Sequence, residues 1–465
     1  MLRFLHHLPH LALAVTAPLL AVQDVELAEE VPLNADQVVA ELRNADVHVL
    51  VTLGERPALF TEAADEGYTV AVELAPPVMT IRQTDGLSPE GRRLRVEMRV
   101  APTQQLVLRG TGLDVTLEPT PNAFDTPPPP VRGPRTRLVV EDSQVDVKGL
   151  PDVAVDAVAS SVVVSDSRES LALDLRASSA DVRGHAGEVT VTANDADVTL
   201  HDGGGGVAVA LEGGSLKLEG GVGRLGGTAD GANLTVNGWR GEVELTGSDN
   251  TFAGYAAGIE PSAWKLSGGV WQVVLEDVRG PHVDVETAGG RLDARRLEAG
   301  VRFVGRSRAS ADLTGVQGNA ELKLTDGAEA RLVDVHGTVD VQAEDAVLDL
   351  DGVDQLKLDA TRSEVTVRGV RGIRQLQVND SELTLDLDEG TLSDGAVTLL
   401  GETRANVTLP APCALRLMAP AEHVDVVGCE LVQPGRTIRT RPGETRPFVL
   451  AVTLSEGSVL EAEGR

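Results

Sequence analysis

Aromatic residues and cysteine are scarce in this sequence of 465 residues. Six Phe, three Trp and two Tyr are its only aromatics, so Val, Leu and Ala must fill most of any core. Two cysteines are too few for a disulfide-rich scaffold, and without a nearby histidine pair they are too few for a zinc site. A membrane-spanning helix needs about 20 consecutive apolar residues. The sequence has no run of that length, so we expect no transmembrane span.

Positive charge is also scarce. The chain has 41 Lys and Arg against 71 Asp and Glu, and its formal net charge is −30. Only 5 of the basic residues are Lys. A surface of this sign repels the phosphates of nucleic acids and anionic lipids. Nucleic acid is therefore excluded as an expected partner.

An internal repeat dominates the middle of the chain. The segment Ser178–Asp195, SSADVRGHAGEVTVTAND, aligns without a gap on ADVTLHDGGGGVAVALEGG, which follows it directly. In this alignment Val189 falls over Val207 and Val191 falls over Val209. A self-similar period of about 20 residues is typical of a solenoid, in which each repeat buries its apolar face by stacking on the next.

Each repeat contains two short apolar-x-apolar stretches, placed half a period apart. This alternation predicts strands, with Val189 and Val191 facing inward and Glu188 and Thr190 facing water. No stripe of helical period is present. Between the strands, two columns recur at the same step and predict corners that need positive φ or leave no room for a Cβ. They are Gly187, Gly205, Gly223 and Gly241, and Gly184, Asp202, Gly220 and Gly238.

The spacing also predicts the kind of solenoid. About 14 to 15 coils fit between Leu138 and Leu409. A left-handed hexapeptide helix would place an apolar residue at every sixth position, whereas the spacing here is near nine. Crossovers between parallel strands favour the right hand. We therefore predict an all-β chain that forms a right-handed parallel β-helix with coils of about 18 residues, capped by irregular β modules.

The composition divides the chain into four parts. Residues 1–23 are predicted to be a signal peptide, since an early Arg precedes an apolar stretch and small residues suited to cleavage. The alternative is an ordinary apolar strand. Residues 24–135 form a β-rich module that ends in a Pro-rich loop, Thr120–Pro134, which is a spacer or a recognition segment. The β-helix takes residues 136–409, and residues 410–465 form a C-terminal β cap.

The two cysteines lie close to one coil apart in the sequence. Neighbouring coils can therefore bring Cys413 and Cys429 within bonding range. In an exported protein the bond would form. We expect a disulfide, and the alternative is a pair of buried free thiols.

Motifs that carry chemistry are mostly missing. The run Gly203–Gly206 lacks the residues of a phosphate loop, and the corners lack the Asp of a calcium β-roll. The histidines form no spaced metal set, and His201 is predicted to face outward between Arg183 and Glu219. We therefore predict no catalytic residue, no metal site and no cofactor.

Aromatic residues cluster at the one irregular place in the repeat. The interval between Phe252 and Val273 is longer than one period, so the coil between them must bulge. The neighbouring aromatics fill this bulge or present a surface for a glycan. The candidate ligand contacts are Trp239, Tyr255, Trp264 and Trp271.

The chain resembles the adhesin-like β-helix domains of bacterial envelope proteins, a group that includes auto-transporter adhesin head domains. The resemblance rests on NADVHVLV, RVEMRVAPTQQLVLRGTGLDVTL and the units SQVDVKG, SSVVVSD, SADVRG and ANLTVNG, and it spans most of residues 36–465. It implies a right-handed β-helix on an exported protein and brings no catalytic residues.

Two hypotheses of function follow. The first is a non-enzymatic, exported, envelope-associated structural or adhesin-like binding protein, in the periplasm or outside the cell. The second is a carbohydrate-binding or carbohydrate-active β-helix protein. The expected partner is an envelope protein or a glycan, together with end-to-end self-association, because the terminal coils of a solenoid are open sheet edges.

Overall fold

The fold is an all-β solenoid. The computed structural model describes residues 21–25, 30–63, 70–83, 93–121, 123–124, 135–255, 263–388, 391, 395–418, 424–432 and 448–465. Strands make up 71% of the described residues, which contain no helix. Parallel coils stack in about 15 turns, roughly 19 residues apart. The prediction of a β-solenoid built from short coils is therefore confirmed.

The chain divides into two compact units, Met1–Val145 and Asp146–Arg465. The strands that begin in the first unit are β1 (Ala21–Val25), β2 (Val31–Pro32), β3 (Gln37–Arg43), β4 (Ala45–Val51), β5 (Ala58–Ala63), β6 (Val70–Ala75), β7 (Val78–Gln83), β8 (Leu94–Val100), β9 (Gln105–Thr111), β10 (Asp114–Pro119), β11 (Thr136–Glu141) and β12 (Gln144–Lys148).

The second unit contains the long series of coils, most of them made of two strands. Its strands up to the middle of the unit are β13 (Val153–Val158), β14 (Ser161–Ser165), β15 (Ser170–Arg176), β16 (Ser179–Arg183), β17 (Glu188–Asn194), β18 (Asp197–His201), β19 (Val207–Glu212), β20 (Ser215–Glu219), β21 (Leu225–Asp230), β22 (Asn233–Asn237), β23 (Val243–Ser248), β24 (Asn250–Tyr255), β25 (Ala263–Gly268), β26 (Trp271–Glu276), β27 (Arg279–Ala288) and β28 (Arg291–Arg295).

The series continues to the chain end. These strands are β29 (Glu298–Arg306), β30 (Ser310–Val316), β31 (Ala320–Leu324), β32 (Glu329–Glu344), β33 (Val347–Thr361), β34 (Glu364–Arg368), β35 (Ile373–Asn379), β36 (Glu382–Asp386), β37 (Gly395–Leu400), β38 (Arg404–Leu409), β39 (Cys413–Met418), β40 (Val424–Val427), β41 (Glu430–Val432), β42 (Phe448–Leu454) and β43 (Val459–Gly464).

The strand register reproduces the repeat of the sequence. In one sheet of the second unit, Val189 pairs in parallel with Val207, its equivalent in the next repeat. In the other sheet, Val198 pairs with Leu216 at the same offset. Apolar side chains of both sheets point between them and are buried, and the intervening side chains face water. The core is therefore a narrow layer between two parallel sheets, and small apolar residues can fill it.

Two different physical needs explain the two corner columns. Gly184 and Asp202 have φ of 62° and 52°, a left-handed conformation that Gly and Asp adopt at lower cost than most residues. Gly187 is required for a different reason, which is steric. A Cβ there would lie 1.6 Å from the carbonyl oxygen of Glu169 on the preceding coil. Both predicted roles of the corner columns are confirmed.

A ladder of small polar residues lies at the other corner of the coils, such as the one between β15 and β16. The sequence pattern did not reveal it. Ser178 Oγ accepts a hydrogen bond from the Ser160 amide at 3.0 Å and lies 2.8 Å from the Arg176 carbonyl oxygen. Ser381 Oγ accepts in the same way from the Ser363 amide at 2.8 Å. These hydroxyls satisfy backbone groups that the sharp turn would otherwise leave buried without a partner.

The first unit is also built on parallel coils. Strands β3 and β4 form one coil, which pairs with β9 and β10 on one side and with β7 and β8 on the other. Antiparallel strands then cover β7 and β8, since β6 pairs with β7 and β5 pairs with β8. The alternation in this part of the sequence is irregular because antiparallel strands interrupt the coils. This unit ends inside β12, whereas the sequence suggested a boundary after residue 135.

Several predicted segments lie outside the described residues. The predicted signal peptide falls there for residues 1–20, and most of the Pro-rich loop does as well. In the part of the chain that is described, no helix is long and apolar enough to cross a membrane.

Candidate functional site

The aromatic cluster does not form a surface site. Trp239, Trp264 and Trp271 are at most 1% exposed, whereas Tyr255 is 37% exposed. The indole nitrogens of Trp264 and Trp271 donate hydrogen bonds to the carbonyl oxygens of Gly241 (3.3 Å) and Gly247 (3.1 Å). Of the four candidate ligand contacts, only Tyr255 is available to a ligand at the surface.

The disulfide candidate is present in the structure. The Sγ atoms of Cys413 and Cys429 lie 2.03 Å apart, with a Cα–Cα distance of 5.0 Å. The bond joins the start of β39 to the residue that precedes β41. It closes a loop around the coil formed by β39 and β40, with a sequence separation of 16.

Charged side chains on the outer faces pair both within strands and from coil to coil. His201 lies between Arg183 and Glu219 in register, and its Nδ1 is 2.9 Å from a Glu219 oxygen. A hydrogen bond from Arg183 lowers the pKa of Asp181, and one from Lys217 lowers the pKa of Glu219. These carboxylates are therefore held ionised in a solvated ladder, which is unsuited to general acid chemistry.

Two arginines repeat one arrangement elsewhere in the second unit. Arg296 donates hydrogen bonds to Glu276 and Asp277 of the preceding coil, and the Asp277 distances are 2.7 and 2.9 Å. Arg362 contacts Glu344 and Asp345 in the same way. These carboxylates raise the pKa of both guanidinium groups above its usual range. Such bridges connect consecutive coils.

A concave surface lies in the first unit, where the sequence predicted no site. It is a groove of about 630 Å³ on the outer face of β5, β8, β4 and β10, and we call it the His48 groove. Its lining residues are Asp46, Val47, His48, Phe60, Thr61, Arg95, Val96, Glu97, Asp114 and Thr116.

One row of side chains runs across the floor of the His48 groove. Phe60 pairs in register with Glu97, Glu97 with His48, and His48 with Thr116. The strands that carry the row are neighbours at about 4.8 Å, so the row spans about 15 Å. It places an aromatic ring, a carboxylate, an imidazole and a hydroxyl in line.

Ion pairs flank this row on both sides. On one side, Arg93 Nε lies 3.1 Å from Asp46, and its Nη1 lies 3.8 Å from Asp114. On the other side, Arg99 lies 3.2 Å from Glu97 and stacks over the Phe60 ring with its Cζ 4.8 Å from the centroid. The guanidinium therefore fixes the ring through a cation–π contact.

The imidazole of the groove has an acidic partner. His48 Nε2 lies 3.2 Å from Glu118, and both side chains are about two-fifths exposed, at 43% and 42%. Its ring is therefore oriented by a carboxylate while remaining accessible to a ligand. The whole surface offers donors, acceptors and one apolar ring, which suits recognition of a polar ligand.

A second groove of about 630 Å³ lies in the second unit. His282, Glu298, Gln317, Asn319, Glu321 and Asp340 contribute to its lining. Its described lining residues include no Phe, Tyr or Trp. It offers hydrogen bonds but no phenyl or indole ring for stacking, and for that reason the His48 groove is the stronger candidate.

The sequence could have indicated the His48 groove only in part. The alternation of ADVHVLV places His48 outward, and that of LRVEMRV places Glu97 outward. What it could not give was the pairing of β5 with β8, because antiparallel register depends on contacts between distant residues.

Among the described residues, no group of three or more His, Cys, Asp or Glu side chains is arranged to hold a metal ion. Comparison with protein-family models, with curated proteins and with solved structures gives no match for this chain. The β-solenoid class is thus established by the fold alone, and any function must be argued from its surfaces.

Proposed function

We propose that this chain is a non-enzymatic, exported β-solenoid that acts at the cell envelope as a structural or adhesin-like binding protein. The His48 groove is its ligand-contact surface. The observation that carries the proposal is the row from Phe60 to Thr116, because it is concave, accessible and held in place by ion pairs on both sides.

Binding suits the groove better than catalysis does. General acid and base chemistry needs a carboxyl with a perturbed pKa or a nucleophile beside a base. Here Asp46 engages Arg93, Glu97 engages Arg99, and Glu118 engages His48. The two arginine–carboxylate pairs already neutralise one another, and such fixed pairs position a ligand without transferring a proton.

Export is supported by the disulfide between Cys413 and Cys429. Structural disulfides persist in the periplasm and outside the cell, and they are rare in a reducing cytosol. Expression of the full chain with a C-terminal tag, followed by cell fractionation and mass measurement, tests this part. We expect a product shortened near Ala17 or Ala21 in the exported fraction. A full-length chain in the cytosol with reduced cysteines would contradict export.

The ligand class that fits the groove best is a glycan. Sugars stack an apolar face on an aromatic ring and hydrogen-bond through hydroxyls to planar polar side chains, and Phe60, His48 and Glu97 provide this combination. An envelope protein is the alternative partner.

A glycan array tests the ligand class. The parent chain is compared with Phe60→Ala, His48→Ala and a control, Arg109→Ala, whose exposed ion pair with Glu41 lies on the other sheet. Phe60→Ala and His48→Ala are each expected to weaken binding about tenfold, which corresponds to about 1.4 kcal/mol, and Arg109→Ala is expected to leave it unchanged. Equal binding by all four proteins would show that the groove is not the glycan site.

A further inference from the structure

The last three coils of the second unit do not stack in chain order. We call β37–β38 the receiving coil, β39–β40 the outer coil and β42–β43 the terminal coil. Strand β42 pairs in parallel with β37 on one side and with β39 on the other. Strand β43 pairs likewise with β38 and β40. The terminal coil therefore occupies a slot between two coils that precede it in the chain.

The slot holds the terminal coil by specific contacts. Leu450 and Leu460 are fully buried in it. At one corner, Ser458 Oγ donates to the Gly401 carbonyl oxygen at 3.1 Å, and the Gly401 amide donates to Ser455 Oγ at 2.9 Å. This is the packing of an ordinary internal coil, although the segment comes from the end of the chain.

The spacing of the outer coil shows that the slot is an insertion. The interval from Gly395 to Cys413 equals the interval from Val189 to Val207, which is one period of the repeat. At that period the outer coil would be expected to stack directly on the receiving coil, and only residues 410–412 join the two. Among the described residues, however, the strands of the outer coil pair with those of the terminal coil, and these in turn pair with the strands of the receiving coil.

The terminal coil reaches the slot by a longer connection. Residues 433–447 separate Val432 from Phe448, and they lie outside the described residues. A chain of that length spans at most about 50 Å when extended, which is enough to reach a neighbouring molecule. A short connection thus joins the two coils that flank the slot, whereas a longer connection precedes the coil that fills it.

We propose that this slot is an exchangeable docking site for the terminal coil of a second copy of this chain. Every contact in the slot is the same whichever copy supplies the coil, so the contacts themselves do not favour the molecule's own segment. The molecule's own terminal coil is favoured only by its covalent connection, which gives it an effective concentration on the order of 1 mM at the slot. Because both chains carry the same slot and the same terminal coil, the exchange is reciprocal and closes a two-fold dimer.

Disulfide trapping between two different single variants tests the exchange. Thr398 of β37 and Thr453 of β42 are register partners and are not buried. Neighbouring strands place such partners about 4.8 Å apart, within the Cα range of a disulfide. Full-length Thr398→Cys and Thr453→Cys chains are mixed, unfolded without reductant so that the native disulfide stays closed, refolded together at high concentration and oxidised.

A matched pair of variants provides the control. Thr366 of β34 and Thr384 of β36 are register partners in consecutive coils, which are joined by a short segment and stack in chain order. Mixed Thr366→Cys and Thr384→Cys chains report random cross-linking. We expect at least ten times more covalent dimer, mapped to positions 398 and 453, in the first mixture, with the yield falling on dilution. Equal yields in the two mixtures at high concentration would overturn the proposal.

Discussion

The rings of Phe252 and Trp264 meet edge to face across the interior of the second unit, with centroids 5.7 Å apart and planes at 83°. In register, Trp264 replaces the much smaller Val243 of the preceding coil. The interior accommodates this volume because Gly254 carries no side chain. A Cβ at Gly254 would lie 2.4 Å from Trp264 Cζ3. Large and small residues on opposite sheets thus keep the core close-packed through the irregular coil.

Trp264→Ala is therefore expected to lower the free energy of unfolding by about 3 to 5 kcal/mol, because it removes a buried indole and leaves a cavity. Tyr255→Ala is the control, since this aromatic residue of the same cluster is exposed. Its effect should stay within about 0.5 kcal/mol. Chemical unfolding of both variants measures the difference. Similar losses in the two variants would contradict the burial of Trp264 in the interior.

Much of the fold was predictable because equivalent residues of consecutive repeats are also the register partners of neighbouring strands. Once Val189 aligned with Val207, strand spacing, inward faces and corner residues followed from the period. The direction of Trp264 did not follow, since a bulge resets the parity of a strand. The place of Phe60 in the His48 groove was not predictable either, because it depends on an antiparallel pairing that leaves no periodic signal. The position of the terminal coil breaks chain order, which the repeat had implied would be kept.

The corner glycines provide a second prediction. Gly187→Ala would place a methyl group 1.6 Å from the Glu169 carbonyl oxygen, so two coils must separate to admit it. We expect a loss of about 3 kcal/mol or more in the free energy of unfolding. Gly231→Ala is the control, because its φ is +66° but no atom lies within 4 Å of the added Cβ. It should cost only the left-handed strain, about 1 to 2 kcal/mol. A Gly187→Ala protein as stable as the Gly231→Ala protein would refute the steric account.

The stability of the second unit is expected to depend on pH through His185. This residue is 2% exposed, and its Nε2 donates to the Glu188 carbonyl oxygen at 3.2 Å. Its Nδ1 has no hydrogen-bond partner among the described residues, and the coil neighbours of the corner, Ser167 and Gly203, carry no charge. Burial therefore lowers the pKa of His185 below its usual value of 6.5, against a smaller opposite effect of backbone hydrogen bonds.

A depressed histidine pKa means that the unfolded chain binds a proton that the folded chain does not. The contribution of His185 to the free energy of unfolding should thus be complete above about pH 6.5 and decline as the pH falls toward the folded-state pKa. Asp181 and Glu219, whose pKa values are lowered, lose their contributions only in more acidic solution, which separates the two effects. We would measure unfolding of the parent and of His185→Leu between about pH 8 and pH 5. The free energy of unfolding of the parent, relative to that of the variant, should decrease below pH 6.5, because leucine cannot take up a proton in the unfolded state. A constant difference across this range would show that His185 titrates alike in both states.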